Sequence, residues 1–470
     1  MIIAIIETTN VSPHLETTLE IAKNHLDSGD TVHYSFIGDS LEFSDFIYPP
    51  TGRHTPQDLG LHLIRHENLV VHNCTAHSKI AGIALPNFRS EAQLREFRVA
   101  QYNAGEGAYN SLVQLRRTDD IDFEEEQCTL RSIITSGIFA YIYSLELLER
   151  IKPDLVYVFN GRFASNSAIK AAAIKLGITT RVHERGGHLS RYSLTDGNLH
   201  CIKTFSELIR DRTSAIPTEK LVSEGESFFN SKKNRVEFDY ASFTTGQTLG
   251  RGIELDKNKK KLITYFTSSN YEFVGVNSLE YFGGLASQHD VIQGLIQIVK
   301  KYPNWHLAIR VHPNETCKSS IRKYKWLEHQ RHIHFLYPQD PTDTYELIKQ
   351  SDVVVSCGST VGIEAVYWGT PSISLASSAY DGIQAVYKPR NLMELEALLK
   401  NSEDLRADKF AALRFGFFMN SFGEPWKYYT PINYARGRFL GVDLSLANWI
   451  KRSPPAELKD EAPSAIDSIQ

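Results

Sequence analysis

Ser351-Asp-Val-Val-Val-Ser-Cys-Gly-Ser-Thr-Val-Gly-Ile-Glu-Ala-Val-Tyr-Trp-Gly-Thr-Pro-Ser-Ile-Ser374 reads as a buried strand, a turn of small residues, a helix, a Gly-Thr-Pro stop and a second strand. A helix that starts at such a turn leaves N–H groups free and puts the positive end of its dipole there, which suits an anion. Glu364, on the same helix, can turn back toward that ligand, where a carboxylate suits the vicinal hydroxyls of a ribose. The pairing points to a nucleotide sugar. A parallel α/β domain needs small residues at strand-to-helix turns for purely structural reasons too, so the turn alone does not decide the matter.

A second strand end supports it. In Leu307-Ala-Ile-Arg-Val-His-Pro-Asn-Glu315 an apolar strand runs straight into His312-Pro313. Proline ends the strand and fixes the backbone, which holds the imidazole at the carboxyl edge of the sheet, where open α/β sheets bind ligands.

Upstream, strands and helices alternate from the start. Ile2 to Glu7 is read as a strand, Leu15 to Leu26 as an amphipathic helix and Thr31 to Ile37 as a second strand. A helix over Ile133–Leu148 leads to the strand Pro153–Phe159, which ends at Asn160-Gly161-Arg162. A helix over Ser167–Leu176 leads to the strand Thr179–His183, which ends at Glu184-Arg-Gly-Gly-His188. The periodicity fades from about Glu224 to Lys261, where Asp256-Lys-Asn-Lys-Lys-Lys261 reads as a solvated linker face. Leu262 to Phe266 then opens a new α/β series with the loop Thr267-Ser268-Ser269-Asn270. The division expected from this is a first Rossmann-like domain over 1–240, a linker over 241–261 and a second Rossmann-like domain over 262–430. A helical segment over 431–451 and a disordered tail over 452–470 complete it.

With 470 residues the chain exceeds what one core organises, and 42% apolar and 11% aromatic residues are enough to build two. A formal charge of −4 without charge blocks gives no reason to expect nucleic acid as a partner. Five scattered cysteines, with no Cys-x-x-Cys pair, argue against a disulfide framework or zinc and for a reducing compartment. Met1 to Ile6 lacks a basic flank and reads as a buried strand, not a signal segment. No run approaches a membrane span, so a cytoplasmic location is expected, compatible with peripheral contact at the inner membrane.

His312-Pro313 and the Ser356–Thr360 turn resemble the HP and Ser/Thr motifs of bacterial CMP-sugar transferases of the GT-B type, the sialyltransferases and Kdo transferases of capsule and lipopolysaccharide synthesis. The whole chain resembles a capsule polysaccharide biosynthesis protein. That resemblance implies an α/β fold of the GT-B class, two Rossmann-like doubly wound domains facing a central cleft. It also implies transfer of a CMP-linked acidic sugar to a surface-polysaccharide acceptor, with no metal cofactor. His312, Pro313, Gly358, Ser359 and Thr360 would hold the donor, with Ser268, Ser269, Arg310, Tyr337 and Glu364 around it. Glu184 would match the family's acidic motif and take the acceptor proton, although Arg185 stands where that motif prefers a second acid. Similar patterns occur in UDP-sugar transferases and in the UDP-N-acetylglucosamine 2-epimerase group. A nucleotide-sugar epimerase or hydrolase, and a non-catalytic nucleotide-sugar-binding component of a polysaccharide assembly, are therefore the rival readings.

Each candidate has a plain structural alternative. Glu184 could instead pair with Arg185 or Arg191, with His188 then the next base to consider. Arg162, with Asn160, could grip a sugar carboxylate or phosphate, or could brace Glu184. His14 could line the acceptor side or simply start a helix, and Tyr337 could flank the base or only pack. Asp119-Asp-Ile-Asp122 follows no buried strand and reads as an acidic face; His329, His332 and His334 lack metal-ligand spacing.

Overall fold

A computed structural model describes residues 1–46, 54–74, 84–196, 201–255, 261–274, 280–282, 284–315, 321–328, 330 and 333–444. The expected tail over 452–470, most of the Asp256–Lys261 run, Cys317, His329 and His332 lie outside them. The chain runs β1 (Ile2–Glu7), α1 (His14–Asp27), β2 (Thr31–Phe36), β3 (Leu69–Asn73), α2 (Glu91–Arg95), α3 (Ala104–Arg116), α4 (Gln127–Ile151), β4 (Leu155–Phe159), α5 (Ala164–Lys175), β5 (Thr179–Arg185) and β6 (Arg191–Thr195). It continues through α6 (Ile202–Thr213), α7 (Thr218–Lys233), β7 (Lys261–Phe266), α8 (Asn270–Val274), α9 (Gln288–Val299), β8 (Trp305–Arg310) and β9 (Ile333–Leu336). Then come α10 (Thr344–Gln350), β10 (Val353–Ser356), α11 (Val361–Tyr367), β11 (Ser372–Ser374), α12 (Leu392–Lys400), α13 (Lys409–Ser421), β12 (Glu424–Pro425), β13 (Tyr429–Asn433) and β14 (Arg436–Phe439). Two compact units result: the described residues of 1–112, 123–198 and 423–444 form the first, and those of 113–122 and 199–422 the second.

The first unit has a sheet in the order β12-β6-β5-β4-β1-β2-β3. Its five strands β3-β2-β1-β4-β5 are parallel and follow the Rossmann order. β6 and β12 extend it antiparallel. β4 is buried along its whole length and β1 everywhere but its first residue, which is why both read as unbroken apolar runs. Leu15, Leu19 and Ala22 of α1 pack on Ile3, Ile5, Val32 and Tyr34.

The C-terminal part of this unit departs from the expected helix over 431–451: where described, it is the antiparallel hairpin β13–β14. The cause lies far away in sequence. The Glu20 carboxylate on α1 accepts the backbone N–H groups of Lys427 (2.7 Å), Tyr428 (2.9 Å) and Tyr429 (3.0 Å), which fixes that stretch as extended chain. Gly437 completes the hairpin, since a Cβ there would stand 2.2 Å from the Tyr429 ring.

The second unit has an all-parallel sheet in the order β11-β10-β7-β8-β9, the same Rossmann order. The expected boundaries move here. Residues 199–240 belong to this unit because Phe229 of α7 stacks on Tyr367 of α11 at 4.0 Å, while Phe228 meets Phe415 of α13 at 5.4 Å. The expected linker, where described, is a strap of the same unit. Thr248 N–H donates to Pro341 O and Gly250 N–H to Asp343 Oδ2, each at 2.8 Å, and Gln247 Oε1 accepts Thr344 N–H at 2.8 Å. The fold class read from the sequence stands: α/β, with two Rossmann-like units. Among the described residues no helix is long and apolar enough to cross a membrane.

Candidate functional site

In a sheet of this order the crevice lies where the strand order reverses, between β7 and β10 in the second unit. The loops leaving those strands are Thr267–Asn270 and Cys357–Thr360, and they are tied together by the Ser268 hydroxyl donating to Cys357 O. Gln288 of α9 clamps the first loop from below, accepting Ser268 N–H and donating to Ser268 O, both at 2.7 Å. Ser268 is 1% exposed, so its side chain serves the loop and is not presented to a ligand.

His312 follows β8 and is half-buried. Its Nδ1 accepts the Asn314 backbone N–H at 3.2 Å and lies 2.8 Å from Ser269 Oγ. A backbone N–H can only donate, so Nδ1 is the acceptor of the neutral ring and Nε2 carries the hydrogen. Burial lowers the pKa of the imidazole, with Glu272 opposing it, which keeps that neutral form dominant around neutrality. Pro313 follows, and Asn314 is braced by its amide donating to Glu272 at 3.0 Å.

The turn after β10 carries Gly358 at φ 77°, a left-handed conformation that favours glycine. α11 is one short helix of seven residues, with Glu364 in its first turn. Gly362 lets it approach the sheet, because a Cβ there would stand 2.6 Å from Ser356 Oγ. Ser359 O accepts the Tyr380 hydroxyl at 2.7 Å. Glu364 accepts the Tyr345 hydroxyl at 2.7 Å and the Thr360 hydroxyl at 3.1 Å, so it is oriented by both neighbours.

Besides Ser268, two more expected donor residues are placed otherwise. The side chain of Arg310 is 2% exposed and is taken up by Thr342 O (3.1 Å), Asp340 O (2.9 Å) and the Asp340 carboxylate (3.8 Å). It is a strut for the loop before α10. Tyr337 stacks edge-on against Phe335 at 4.7 Å and donates its hydroxyl to Glu328, which makes it a packing residue.

In the first unit the corresponding crevice lies between β1 and β4. Asn160, at the end of β4, adopts φ 56° and donates its side-chain amide to Glu184 Oε2 at 2.7 Å. The Arg185 backbone N–H donates to Glu184 Oε1 at 3.1 Å, and His14 Nδ1 at the head of α1 lies 3.6 Å from the same oxygen. The structure thus gathers His14, Asn160 and Glu184. β5 runs on through Arg185, so Glu184 sits within a strand paired to Ser193 of β6, not beyond the strand end expected. Burial holds His14 down at about 3 and the adjacent His183 at about 4, with Glu184 raising both, so both imidazoles are neutral at physiological pH. Arg185 donates to Tyr434 O and Arg191 to Gly423 O, so neither of these contacts is an ion pair with Glu184. Arg162 lies over the Phe163 ring at 4.7 Å. His188 sits in the β5–β6 turn with Nδ1 at 2.7 Å from Ser190 Oγ.

Sequence reading missed some groups at these edges. Glu7 and Glu16 are buried carboxylates raised to about 7 by desolvation, each with one oxygen that has no hydrogen-bond partner among the described residues. Asp39, just after β2, holds His54 Nδ1 at 2.6 Å, and His54 Nε2 meets Asn10 at 2.8 Å. The Gly38-Asp39 strand end was the only local signal for that string. Among the described residues no three His, Cys, Asp or Glu side chains could jointly hold a metal ion. Asp119 instead pairs with Lys323 at 3.7 Å.

Residues 255–394 match the family model described as capsule polysaccharide biosynthesis protein, in line with the resemblance read from the motifs. No curated protein matches the chain. Among solved structures, the β-Kdo 2,4 transferase KpsC of Thermosulfurimonas dismutans is 11% identical over 64% of this chain and 87% of that one, with a TM-score of 0.38. The β-Kdo 2,7 transferase KpsC of the same organism is 13% identical over 54% and 78%, TM-score 0.33. The UDP-GlcNAc 2-epimerase of Neisseria meningitidis, bound to UDP-GlcNAc, is 13% identical over 91% and 96%, TM-score 0.33. The two strand orders, not these scores, carry the fold assignment.

Proposed function

We propose that this chain is a capsule polysaccharide glycosyltransferase that moves a sugar from a nucleotide-sugar donor, a CMP-linked acidic sugar, onto a glycan or glycolipid acceptor. The observation that carries the reading is that the capsule-family match, residues 255–394, spans every candidate donor residue from Ser268 to Glu364. At the centre of that span, His312 presents a neutral Nε2–H set by Ser269 and Asn314. Departure of a nucleotide leaves negative charge on phosphate, and fixed N–H and O–H donors stabilise developing charge without moving. His312 and the Ser359-Thr360 turn would serve the phosphate and Glu364 the ribose. In the first unit, Glu184, oriented by Asn160 and Arg185, would take the proton from the acceptor hydroxyl. On this reading no metal is required, and the enzyme works in the cytoplasm, at the face of a polysaccharide assembly.

The test is a thermal-shift panel of CMP, UDP, GDP and CDP on the unaltered chain and on His312→Ala. Specific binding raises the melting temperature by mass action. CMP should give the largest rise, and His312→Ala, at unchanged fold, should weaken it by about 1.5 to 3 kcal/mol, the range for a hydrogen bond to a charged group. No shift with any nucleotide would remove the donor site.

A further inference from the structure

The strap that follows α7 is fixed at both ends. At one end Phe238 is buried against Phe228 at 5.3 Å between ring centres, and Asp239 holds the Lys232 ammonium at 2.5 Å. At the other, Gln247, Thr248 and Gly250 are bonded to the loop leading into α10. Between these anchors Tyr240 and Phe243 leave the core, 41% and 38% exposed, with their rings 5.9 Å apart. The Phe243 ring stands 5.4 Å from the His312 ring, edge to face.

Two neighbouring aromatic rings held partly in water forgo much of the stabilisation that burial would give them. Next to a side chain suited to phosphate, such a pair offers a π-face, and every nucleobase has a face to set against it. We infer that Tyr240 and Phe243 form the platform on which the base of the bound nucleotide stacks, with its phosphate on His312. This inference rests on the nucleotide reading above and adds the base contact to it.

The experiment is a ligand-observed NMR titration of the whole chain with two probes, CMP and ribose 5-phosphate, which lacks the base. If the thermal-shift panel selects UDP, UDP replaces CMP. Phe243→Ala, Tyr240→Ala and Phe243→Trp are compared with the unaltered chain. Stacking predicts that Phe243→Ala weakens CMP about 10- to 100-fold, and that Phe243→Trp restores it. It also predicts that saturation transfer to the cytosine protons falls in the alanine variants while ribose 5-phosphate binds all four chains alike. Equal loss of both probes would put the rings against sugar or phosphate. Unchanged CMP affinity in both alanine variants would leave no base on them. Either result overturns the inference while the His312 site stands, whereas an unaltered chain that binds no nucleotide takes both down together.

Discussion

Replacing Glu184 with Gln separates its chemistry from its place in the fold. In the unaltered site Oε2 accepts the Asn160 amide at 2.7 Å and Oε1 faces the Arg185 N–H at 3.1 Å and His14 Nδ1 at 3.6 Å. In Glu184→Gln the remaining oxygen can keep the Asn160 bond. The new amide nitrogen then points to His14, whose ring is neutral because burial holds its pKa near 3 and which accepts at Nδ1 once its hydrogen sits on Nε2. One hydrogen bond, that of the Arg185 N–H, is lost, which is worth about 1 kcal/mol and leaves the fold intact. Basicity disappears altogether. A general base contributes about 10² to 10⁴ in rate, so kcat and kcat/KM should fall together by that factor, or about 3 to 5 kcal/mol of transition-state stabilisation. The assay is transfer of labelled sugar to a capsule oligosaccharide, with nucleotide affinity measured in parallel and expected to hold. Near-normal transfer by the variant would refute the reasoning and send the search to His188 or to the Asp39–His54 pair. A large drop in melting temperature would instead show that the carboxylate is a structural part of the sheet.

Glu16→Gln should stabilise the protein at pH 8 and change little at pH 5. The carboxyl is raised from its ordinary value to about 7 by burial, so its favourable protonated state is complete below about 4.5 and is lost as pH rises through 7. The gain at pH 8 is at most about 3 kcal/mol, and equal gains at both pH values would show that ionisation is not the cause. Arg310→Ala should lower the melting temperature while leaving nucleotide affinity unchanged in the folded fraction, because the buried Thr342 carbonyl loses its donor at about 1 to 3 kcal/mol and the half-buried Asp340 carbonyl loses its own at less. Weaker nucleotide binding at an unchanged melting temperature would return Arg310 to the donor site.

The strands that hold the two sheets together were legible because each is buried on both faces and so needs an unbroken apolar run. Ile2–Glu7 has the bounds expected, and the expected Pro153–Phe159 and Leu262–Phe266 lie within two residues of the strands observed. The same logic found the strand ends that carry Asn160, His312 and the Gly358 turn. What stayed hidden depends on partners far apart in sequence. Nothing local distinguishes the exposed Arg310 expected of a ligand site from the buried strut observed, since the difference is made by Asp340 and Thr342. The strap looked like a linker because its polar residues are satisfied by the loop before α10, not by neighbours in the chain. The β13–β14 hairpin depends on Glu20, some four hundred residues upstream.

Both units use one strand order, yet the residues at their switch points differ in kind, and that difference sets what each can do. After β1, β4 and β5 the first unit places a carboxylate beside imidazoles that burial keeps neutral, the side on which the reading above puts the proton acceptor. After β7, β8 and β10 the second unit places hydroxyls, a proline-fixed imidazole whose Nδ1 is held by Ser269 and Asn314, and a glycine turn, groups suited to donate to an anion or, through Glu364, to accept from a sugar hydroxyl. The scaffold is shared, so fold alone could not assign these roles. A reaction in which a sugar leaves a departing phosphate for an incoming hydroxyl, which gives up its proton, needs one site of each kind, and that chemical division, more than any single motif, is why transfer fits this chain better than nucleotide binding alone.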